Sequence, residues 1–344
     1  MPSECLLMIG NYLSAARHTR SVGEELSLRL QQRGWQVLAA SGQINRLLRL
    51  ADMLATAIFH ARQYRAALVE VYSGPAFIWA EAVCAALRLL KKPFVLALHG
   101  GGLPEFAQRN PGRVTRLLAS AAAVVTPSRW IAASLAAFHS NIQYLPNAIQ
   151  VDQYPYTLRT DITPRLVWLR AFHAIYQPWL AVQALSELRK SFPSASLLMI
   201  GPDKGDGALE RTRLAVHQLG LQDAVVFQGG VDKSEVPVWL NRADIFLNTT
   251  TYESFGVSLL EAAACGLPIV TTRVGELPYL WQDGSEALLV PPDDPVAMAD
   301  AIQRILCEPA MAQKLSSNGR RKAEQLDWAV ILPRWEEILR AVMK

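Results

Sequence analysis

The chain alternates short apolar runs with longer stretches in which apolar residues recur every three or four positions. Runs such as Cys5 to Ile9, Phe94 to Leu98 and Ser196 to Ile200 are typical of strands that are buried on both faces of a parallel sheet. Stretches such as Val22 to Gln32 and Trp179 to Ser191 have the spacing of amphipathic helices. A strand followed by a helix, repeated along the chain, predicts an α/β protein.

The stretch from Ile44 to Tyr64 predicts a further amphipathic helix. Its larger apolar residues fall on one face at Leu47, Leu50, Leu54 and Ile58.

The strand–helix alternation runs twice, with a polar segment between the two series. Asp152 to Thr163 is polar, contains Pro155 and is followed by Pro164, which is typical of a hinge between domains. We therefore predict two doubly wound, Rossmann-like domains that face a cleft, with residues 1–155 in the first and residues 164–325 in the second.

The segment from Asp244 to Thr272 concentrates the residues that could carry chemistry. It predicts a strand, a threonine-rich loop, a helix from Val257 to Ala264 and a second buried strand. This order places the first N–H groups of the helix at the carboxyl edge of a parallel sheet, where they attract phosphate. Glu253 precedes the helix and Glu261 lies within it, so one carboxylate can face a sugar while the other reaches hydroxyl groups beside it.

Composition and charge limit the class of partner. At 344 residues, with 51% hydrophobic and 19% charged residues, the chain is long and apolar enough for two folded domains. The net charge of +4 combines +8 in residues 1–160 with −4 in residues 161–344. The basic half predicts an anionic membrane face or an acidic acceptor as a partner. No aromatic-interleaved basic cluster occurs, which argues against nucleic acid.

Three arginines are candidates for that acceptor or membrane patch. Arg109, Arg113 and Arg116 lie on a predicted loop and short helix. Ordinary solvation of a helix face is the alternative.

Cysteine usage and the absence of targeting patterns predict a cytoplasmic protein, at most peripheral at the inner face of a membrane. The four cysteines are scattered without pairing or metal-ligand spacing. The sequence has no secretory leader pattern and no apolar run of the ~20 residues that a membrane span needs. It also has no Asp-x-Asp triplet, so we expect neither a metal nor a cofactor.

The motif that begins at Glu253 resembles the donor-site signature of retaining glycosyltransferases of family 4. Two glutamates, separated by seven residues, enclose Phe255 and Gly256, and the pattern Ala-x-Gly-x-Pro-x-Val follows Glu261. The resemblance implies the GT-B fold. It further implies that the first domain binds an acceptor, that the second binds a nucleotide-sugar, and that a helix in residues 326–344 crosses back to the first.

The resemblance also implies roles for individual residues. Glu253 would hold sugar hydroxyls beside the anomeric carbon, Arg170 the pyrophosphate, and His99 an outer hydroxyl of the sugar, which makes these three the catalytic candidates. Glu261 would bind the ribose hydroxyls. The implied donor-binding set is Gly10, Arg170, Tyr176, Gly230, Val231, Glu253, Ser254, Phe255, Gly256, Val257, Ser258 and Glu261.

One position departs from the pattern of the family. Tyr176 stands where family members carry a lysine, so only Arg170 remains of two expected cations. Tyr176 could donate a hydrogen bond in place of the ammonium, or pack under the helix that follows. Two other residues of the set also have an alternative interpretation. Gly10 could be an ordinary glycine at a strand end, and His99 could be a structural histidine.

These observations predict a retaining, metal-independent glycosyltransferase of the hexosyltransferase type. Its donor would be a UDP- or GDP-sugar, its acceptor a saccharide or a lipid-linked molecule, and its product a polysaccharide, glycolipid or glycoconjugate. We expect front-face attack, with the departing phosphate accepting the proton of the acceptor. The alternatives are a sugar-nucleotide epimerase of GT-B fold and a non-catalytic nucleotide-sugar-binding protein, the latter suggested by Tyr176.

Overall fold

The computed structural model describes residues 4–12 and 21–344. The chain divides into unit 1, residues 1–147 with 328–344, and unit 2, residues 148–327. In the described residues, each unit contains a six-stranded parallel sheet flanked by helices, which confirms the predicted α/β class.

Unit 1 has the strand order β2-β1-β3-β4-β5-β6. The direction of the connections reverses between β1 and β3, which makes their carboxyl ends the switch point where α/β sheets bind ligands. The strands are β1 (Cys5–Ile9), β2 (Gln36–Ala40), β3 (Ala66–Val71), β4 (Phe94–Leu98), β5 (Ala123–Thr126) and β6 (Ile142–Tyr144). The helices between them are α1 (Val22–Gln32), α2 (Arg46–Phe59), α3 (Pro75–Leu89), α4 (Leu103–Arg109), α5 (Pro111–Ala119) and α6 (Arg129–Leu135).

Local sequence explains how these elements begin. Every residue of β1 and β4 is buried, as expected for the central part of a parallel sheet. Ser21 and Glu24 form a reciprocal capping box at the start of α1, because each backbone N–H donates to the other's side chain. Asn45 caps α2 by accepting the N–H groups of Leu47 and Leu48.

Unit 2 has the strand order β12-β11-β10-β7-β8-β9, with its switch point between β7 and β10. Its strands are β7 (Arg165–Leu169), β8 (Ser196–Ile200), β9 (Val225–Gly229), β10 (Ile245–Asn248), β11 (Ile269–Thr272) and β12 (Leu288–Val290). Its helices are α7 (Pro178–Arg189), α8 (Ala208–Gln218), α9 (Val236–Leu240), α10 (Val257–Ala264), α11 (Leu277–Leu280), α12 (Pro295–Cys307) and α13 (Pro309–Gln325). Short 3₁₀ turns occupy Val151–Gln153 and Ala174–Tyr176.

The polar segment that follows Asn147 is held by hydrogen bonds within unit 2. The Thr157 N–H donates to the carbonyl of Cys265 at 3.2 Å, and the Tyr154 hydroxyl donates to Glu261 at 2.8 Å. The side chain of Arg159 is buried and donates to Asn241 at 2.9 Å. These bonds join the segment to unit 2, and residues 148–163 group with that unit, with the boundary after Asn147.

The last helix, α14 (Trp328–Met343), groups with unit 1. Its buried Glu336 accepts a hydrogen bond of 3.0 Å from the indole of Trp35, and Arg340 pairs with Glu4 at 2.8 Å. The buried polar bond and the ion pair fix the helix against the strands that open the chain.

Candidate functional site

The switch point of unit 2 carries a buried ion pair. Arg170 directly follows β7 and Glu253 lies in the loop after β10, and their side chains, 16% and 8% exposed, form a salt bridge. Glu253 Oε1 also accepts the backbone N–H groups of Ser254 and Phe255 at 3.1 and 3.3 Å. Burial lowers the pKa of the Arg170 guanidinium below its ordinary value, although arginine keeps its proton at neutral pH. The carboxylate is therefore fixed by its own loop and holds the cation at the sheet edge.

Two glycines allow neighbouring loops to approach the backbone of Arg170 and Glu253. Gly201 has a positive φ of 148°, and a Cβ there would collide with the carbonyl of Arg170. Gly275 has a φ of 54°, and a Cβ there would collide with the carbonyl of Glu253. Only glycine fits at either position, so both neighbouring loops are packed against the ion pair.

Tyr176 lies under the guanidinium of Arg170. Its ring centroid is 4.5 Å from the Arg170 Cζ atom, within the range of a cation–π contact. The 3₁₀ turn that carries the tyrosine is held by Thr249, whose hydroxyl donates to the Tyr176 carbonyl at 2.6 Å, and by the Thr251 N–H, which donates to Ile175 at 2.8 Å. The side chain also packs against the core of unit 2. A lysine at this position would add a second cation to the site, whereas the Tyr176 ring contacts the guanidinium of Arg170.

Helix α10 begins beside this pair without a side-chain cap. Its N-cap residue is Gly256, and in the described part of the chain no side chain caps its first turn. The hydroxyl of Ser258, in that first turn, is buried and has no hydrogen-bond partner among the described residues. An uncapped helix start with a buried free hydroxyl is suited to accept phosphate oxygens.

Glu261 lies further along α10 and is held on one oxygen. Its Oε1 atom accepts the Tyr154 hydroxyl at 2.8 Å and pairs with the ammonium of Lys233. A buried carboxylate is thus positioned by two donors that come from other segments of the chain.

Lys233 was missed by the sequence analysis. It lies two residues after Val231, which with Gly230 belongs to the donor-binding set that the resemblance implies. The useful signal was the missing lysine at position 176, since a site for a diphosphate with one cation fewer should prompt a search for other cations near the sheet edge.

In unit 1, the predicted residues Gly10 and His99 follow β1 and β4. The His99 ring stacks on Tyr72 with centroids 5.5 Å apart, and its Nε2 atom lies 4.0 Å from Glu70 Oε1. Burial lowers the pKa of His99 below its ordinary value of 6.5, against the smaller opposing effect of Glu70. Glu70 was not predicted either, although a carboxylate near the end of an otherwise apolar strand is a recognisable signal.

The three arginines of the predicted acceptor or membrane patch differ in their surroundings. Arg109 pairs with Glu105 at 2.5 Å on the surface of α4. Arg113 pairs with Glu81 at 2.5 Å and lies over the ring of Phe77. Arg116 is exposed on α5. Two of the three charges are therefore compensated by carboxylates.

A different surface of unit 1 is apolar and basic. The α2 stripe consists of Ile44, Leu47, Leu48, Ile58 and Phe59, whose side chains are between 50% and 82% exposed. Arg46 and Arg62, both exposed, lie beside it, and Asp52, the only acidic residue of α2, is half-buried. In the described residues, no helix is long and apolar enough to cross a membrane.

Solved structures share this architecture and define the class of fold. Over 98% of this chain and 99% of its own, a sucrose-phosphate synthase from Thermosynechococcus elongatus superimposes with a TM-score of 0.82 at 23% identity. HepE from Anabaena, solved in complex with UDP-glucose, gives a TM-score of 0.75 at 16% identity over 98% and 99% of the two chains. The fold is GT-B, as the sequence motif predicted.

Sequence comparison identifies the family of the domain that carries the ion pair. The family model described as glycosyl transferases group 1 matches residues 170–322, so this part of unit 2 is a domain of that family. A D-inositol 3-phosphate glycosyltransferase from Xylanimonas cellulosilytica is 25% identical over 67% of this chain and 60% of its own. A glycogen synthase from Mycobacterium tuberculosis is 29% identical over 56% of this chain and 46% of its own. The chain thus spans less than two thirds of the length of these curated relatives.

Proposed function

We propose that the protein is a retaining glycosyltransferase that moves a hexosyl group from a UDP- or GDP-sugar to a hydroxyl group of a saccharide or lipid-linked acceptor. The observation that carries this proposal is the arrangement in unit 2 of one buried guanidinium, an uncapped helix start and two positioned carboxylates. The family of residues 170–322 and the UDP-glucose bound to HepE support it.

The departing nucleoside diphosphate is the group whose charge the site must stabilise. Arg170 can donate two parallel hydrogen bonds to phosphate oxygens, and the first N–H groups of α10 with the Ser258 hydroxyl can donate others. Because these donors are protein groups, we propose that transfer needs no metal ion. As the guanidinium turns toward phosphate, Glu253 Oε2 is released and can accept a hydroxyl of the sugar.

We propose front-face attack for the transfer itself. The bond from the anomeric carbon to the diphosphate oxygen breaks, the acceptor oxygen bonds to the same face of that carbon, and the leaving phosphate oxygen takes the acceptor's proton. Glu261 Oε2 holds the ribose hydroxyls, and Tyr154 and Lys233 position its carboxylate. In unit 1, which we propose binds the acceptor, His99 remains our candidate for a sugar hydroxyl contact.

A thermal-shift panel followed by a transfer assay tests the function. A nucleotide present at 100 times its dissociation constant should stabilise the protein by about 2.7 kcal/mol. The stabilising nucleotide then selects the radiolabelled donor, and transfer is measured with EDTA present, with the anomeric configuration of the product read by NMR. Inverted product, or activity lost with EDTA, would contradict the retaining or metal-free mechanism.

The same assay separates the alternatives. Conversion of the donor without any acceptor would identify an epimerase. Tight nucleotide binding without turnover on a broad acceptor extract would identify a non-catalytic binding protein.

We also propose that the protein works at the cytoplasmic face of a membrane and contacts anionic lipid through the α2 stripe. A helix with an apolar outer face and flanking arginines fits a bilayer surface, where each arginine contributes about 1 kcal/mol. The compensated charges at Arg109 and Arg113 make their surface the weaker candidate.

Vesicle sedimentation tests this surface. Wild type should sediment with vesicles containing phosphatidylglycerol and not with pure phosphatidylcholine, and Leu47→Ser with Phe59→Ser should abolish binding. The control is Leu214→Ser, at a leucine 54% exposed in unit 2. A wild-type protein that ignores anionic vesicles, or a dimer in light scattering that only the stripe variant dissociates, would overturn the membrane assignment.

A further inference from the structure

A buried carboxylate lies one helical turn beyond the uncapped start of α10. Glu261 follows Ser258 by three residues, so the two side chains lie on the same face of the helix, with Cβ atoms about 5–6 Å apart. The Ser258 hydroxyl is buried, and no described residue bonds to it. A phosphate that reaches this hydroxyl also comes close to the Glu261 carboxylate, and like charges at such distances repel.

Lys233 supplies the opposite charge at this point. Its ammonium pairs with Glu261 Oε1, which also accepts the Tyr154 hydroxyl at 2.8 Å. The side chain of Glu261 is 5% exposed and that of Lys233 is 55% exposed, so the ammonium reaches the buried carboxylate from the solvent side. Because an ammonium has three donors, it can keep its contact with Glu261 and also donate to a phosphate oxygen.

The backbone that carries Lys233 is held in a turn between β9 and α9. The Glu235 N–H donates to the Asp232 carbonyl at 2.9 Å, and the Asp232 N–H donates to Glu235 Oε2 at 3.3 Å. Strands β7, β8 and β9 are parallel neighbours, so this turn and Arg170, which follows β7, lie at the same edge of the sheet. Lys233 therefore approaches the edge from a fixed backbone, and only its side chain has to turn toward a ligand.

Each of the two carboxylates of the site thus has its own cation. Arg170 pairs with Glu253 beside the start of α10, and Lys233 pairs with Glu261 further along the same helix. The ribose of the nucleotide is proposed to bind Glu261, so the phosphate attached to the ribose is the one nearest to Lys233. The phosphate attached to the sugar is then the one nearest to Arg170.

We propose that Lys233 is a second cation of the nucleotide site, which binds the phosphate attached to the ribose and supplies the charge of the lysine that Tyr176 replaces. This inference rests on the proposed function and adds a residue to its donor site. Arg170 and the first N–H groups of α10 remain with the departing phosphate. Lys233 therefore sets the affinity for the nucleotide and does not change the path of the reaction.

A series of ligands separates a phosphate contact from the positioning of Glu261. The series is uridine, UMP and UDP, or the guanosine equivalents if the protein binds GDP, measured by calorimetry for the nucleotides and by ligand-observed NMR for the nucleoside. Lys233→Met should weaken UMP and UDP binding at least ~10-fold, the value of a lost hydrogen bond to a charged group. Uridine binding should be unchanged, because Tyr154 still holds Glu261 in place.

The control variants separate the contact from the charge. Lys233→Arg keeps the cation and should keep the affinity for all three ligands. Lys190→Met removes a lysine that pairs with Glu187 at the end of α7, and it should change none of them. Lys233→Met combined with Glu261→Gln should bind UMP more weakly than Glu261→Gln alone. Equal affinities of these two variants would mean that Lys233 only offsets the carboxylate, which would overturn the phosphate contact.

Two results with the single variant would also overturn the proposal. Equal losses for uridine and UMP in Lys233→Met would show that the lysine acts only through Glu261, and unchanged UMP binding would show that it does not contribute to the site. Failure of the proposed function has a different signature, since wild type would then have no affinity for UDP or GDP.

Discussion

Replacing Arg170 tests whether the buried ion pair of unit 2 is a phosphate site or only a structural contact. The three variants are Arg170→Met, Glu253→Gln and the double variant, which together form a double-mutant cycle. A structural contact would affect stability alone, whereas a phosphate site must also affect the affinity for UDP or GDP.

The structure sets the expected magnitudes. Breaking a buried pair by removing one partner costs about 3–5 kcal/mol, because the other charge is left unpaired. Glu253 keeps the N–H groups of Ser254 and Phe255, so we expect Arg170→Met to cost about 3 kcal/mol, at the lower end of that range. The double variant removes both charges and should cost only about 1 kcal/mol.

Nucleotide affinity should follow a different order. Loss of a guanidinium that donates to a diphosphate should weaken binding by about 1.5–3 kcal/mol, in the single and the double variant alike. Glu253→Gln leaves Arg170 without its competing carboxylate, so UDP or GDP should bind more tightly while transfer is lost.

Denaturant unfolding followed by circular dichroism and titration calorimetry with UDP and GDP measure the two quantities. Arg211→Met is the matched control, since Arg211 lies over the Trp179 ring, 3.6 Å from its centroid, and is not part of the site. If the double variant binds nucleotide as wild type does, Arg170 does not hold the diphosphate. If it is as unstable as Arg170→Met, the pair does not account for the loss of stability.

Two further predictions concern Glu261 and His99. Glu261→Ala should weaken UDP or GDP binding by at least ~1 kcal/mol, the value of one lost buried hydrogen bond, and unchanged affinity in calorimetry would remove the ribose assignment. For His99, the folded pKa lies below the ordinary 6.5, so below about pH 6.5 the unfolded chain binds a proton that the folded chain does not. Unit 1 should lose stability as pH falls through this range, by up to ~1.4 kcal/mol per pH unit, and an unchanged pH slope of the urea midpoint in His99→Gln would contradict this.

Periodicity was a sufficient guide to the fold. Strands β10, β11 and β12 of unit 2 are short apolar runs whose residues are all buried, and the helix predicted from Val257 to Ala264 has the same bounds in the structure. Here Gly266 and Pro268 end the helix by local chemistry, which a sequence carries directly. The motif likewise located Glu253 and Glu261, since a spacing within one strand–loop–helix segment fixes where both side chains start.

Periodicity failed where it could not distinguish one apolar face from another. The apolar positions Leu47 and Ile58 were grouped with Leu50 and Leu54, yet the first two are 80% and 50% exposed. Helix α2 is apolar on more than one side, and only tertiary packing decides which side meets the sheet. Which apolar face of a helix stays exposed is therefore decided by tertiary packing, and the spacing of apolar residues does not predict it.

Contacts between residues that are far apart in the sequence were the other feature that the sequence did not predict. Lys233 pairs with Glu261 across 28 positions of the chain, and Tyr154 reaches the same carboxylate across 107. Nothing in the local sequence of either residue signals a carboxylate, because the sheet order brings the segments together. Such partners become predictable only after the topology is known.

Tyr176 shows why a missing motif residue need not mean a missing function. A lysine at this position would add charge, but it would also repel the guanidinium of Arg170 in a buried setting. The tyrosine ring, 4.5 Å from that guanidinium, instead orients the one cation that the site keeps, while Glu253 offsets its charge. A site with one oriented cation and free helix N–H groups can still neutralise a leaving diphosphate, so the substitution is compatible with transfer and is expected to alter donor affinity more than mechanism.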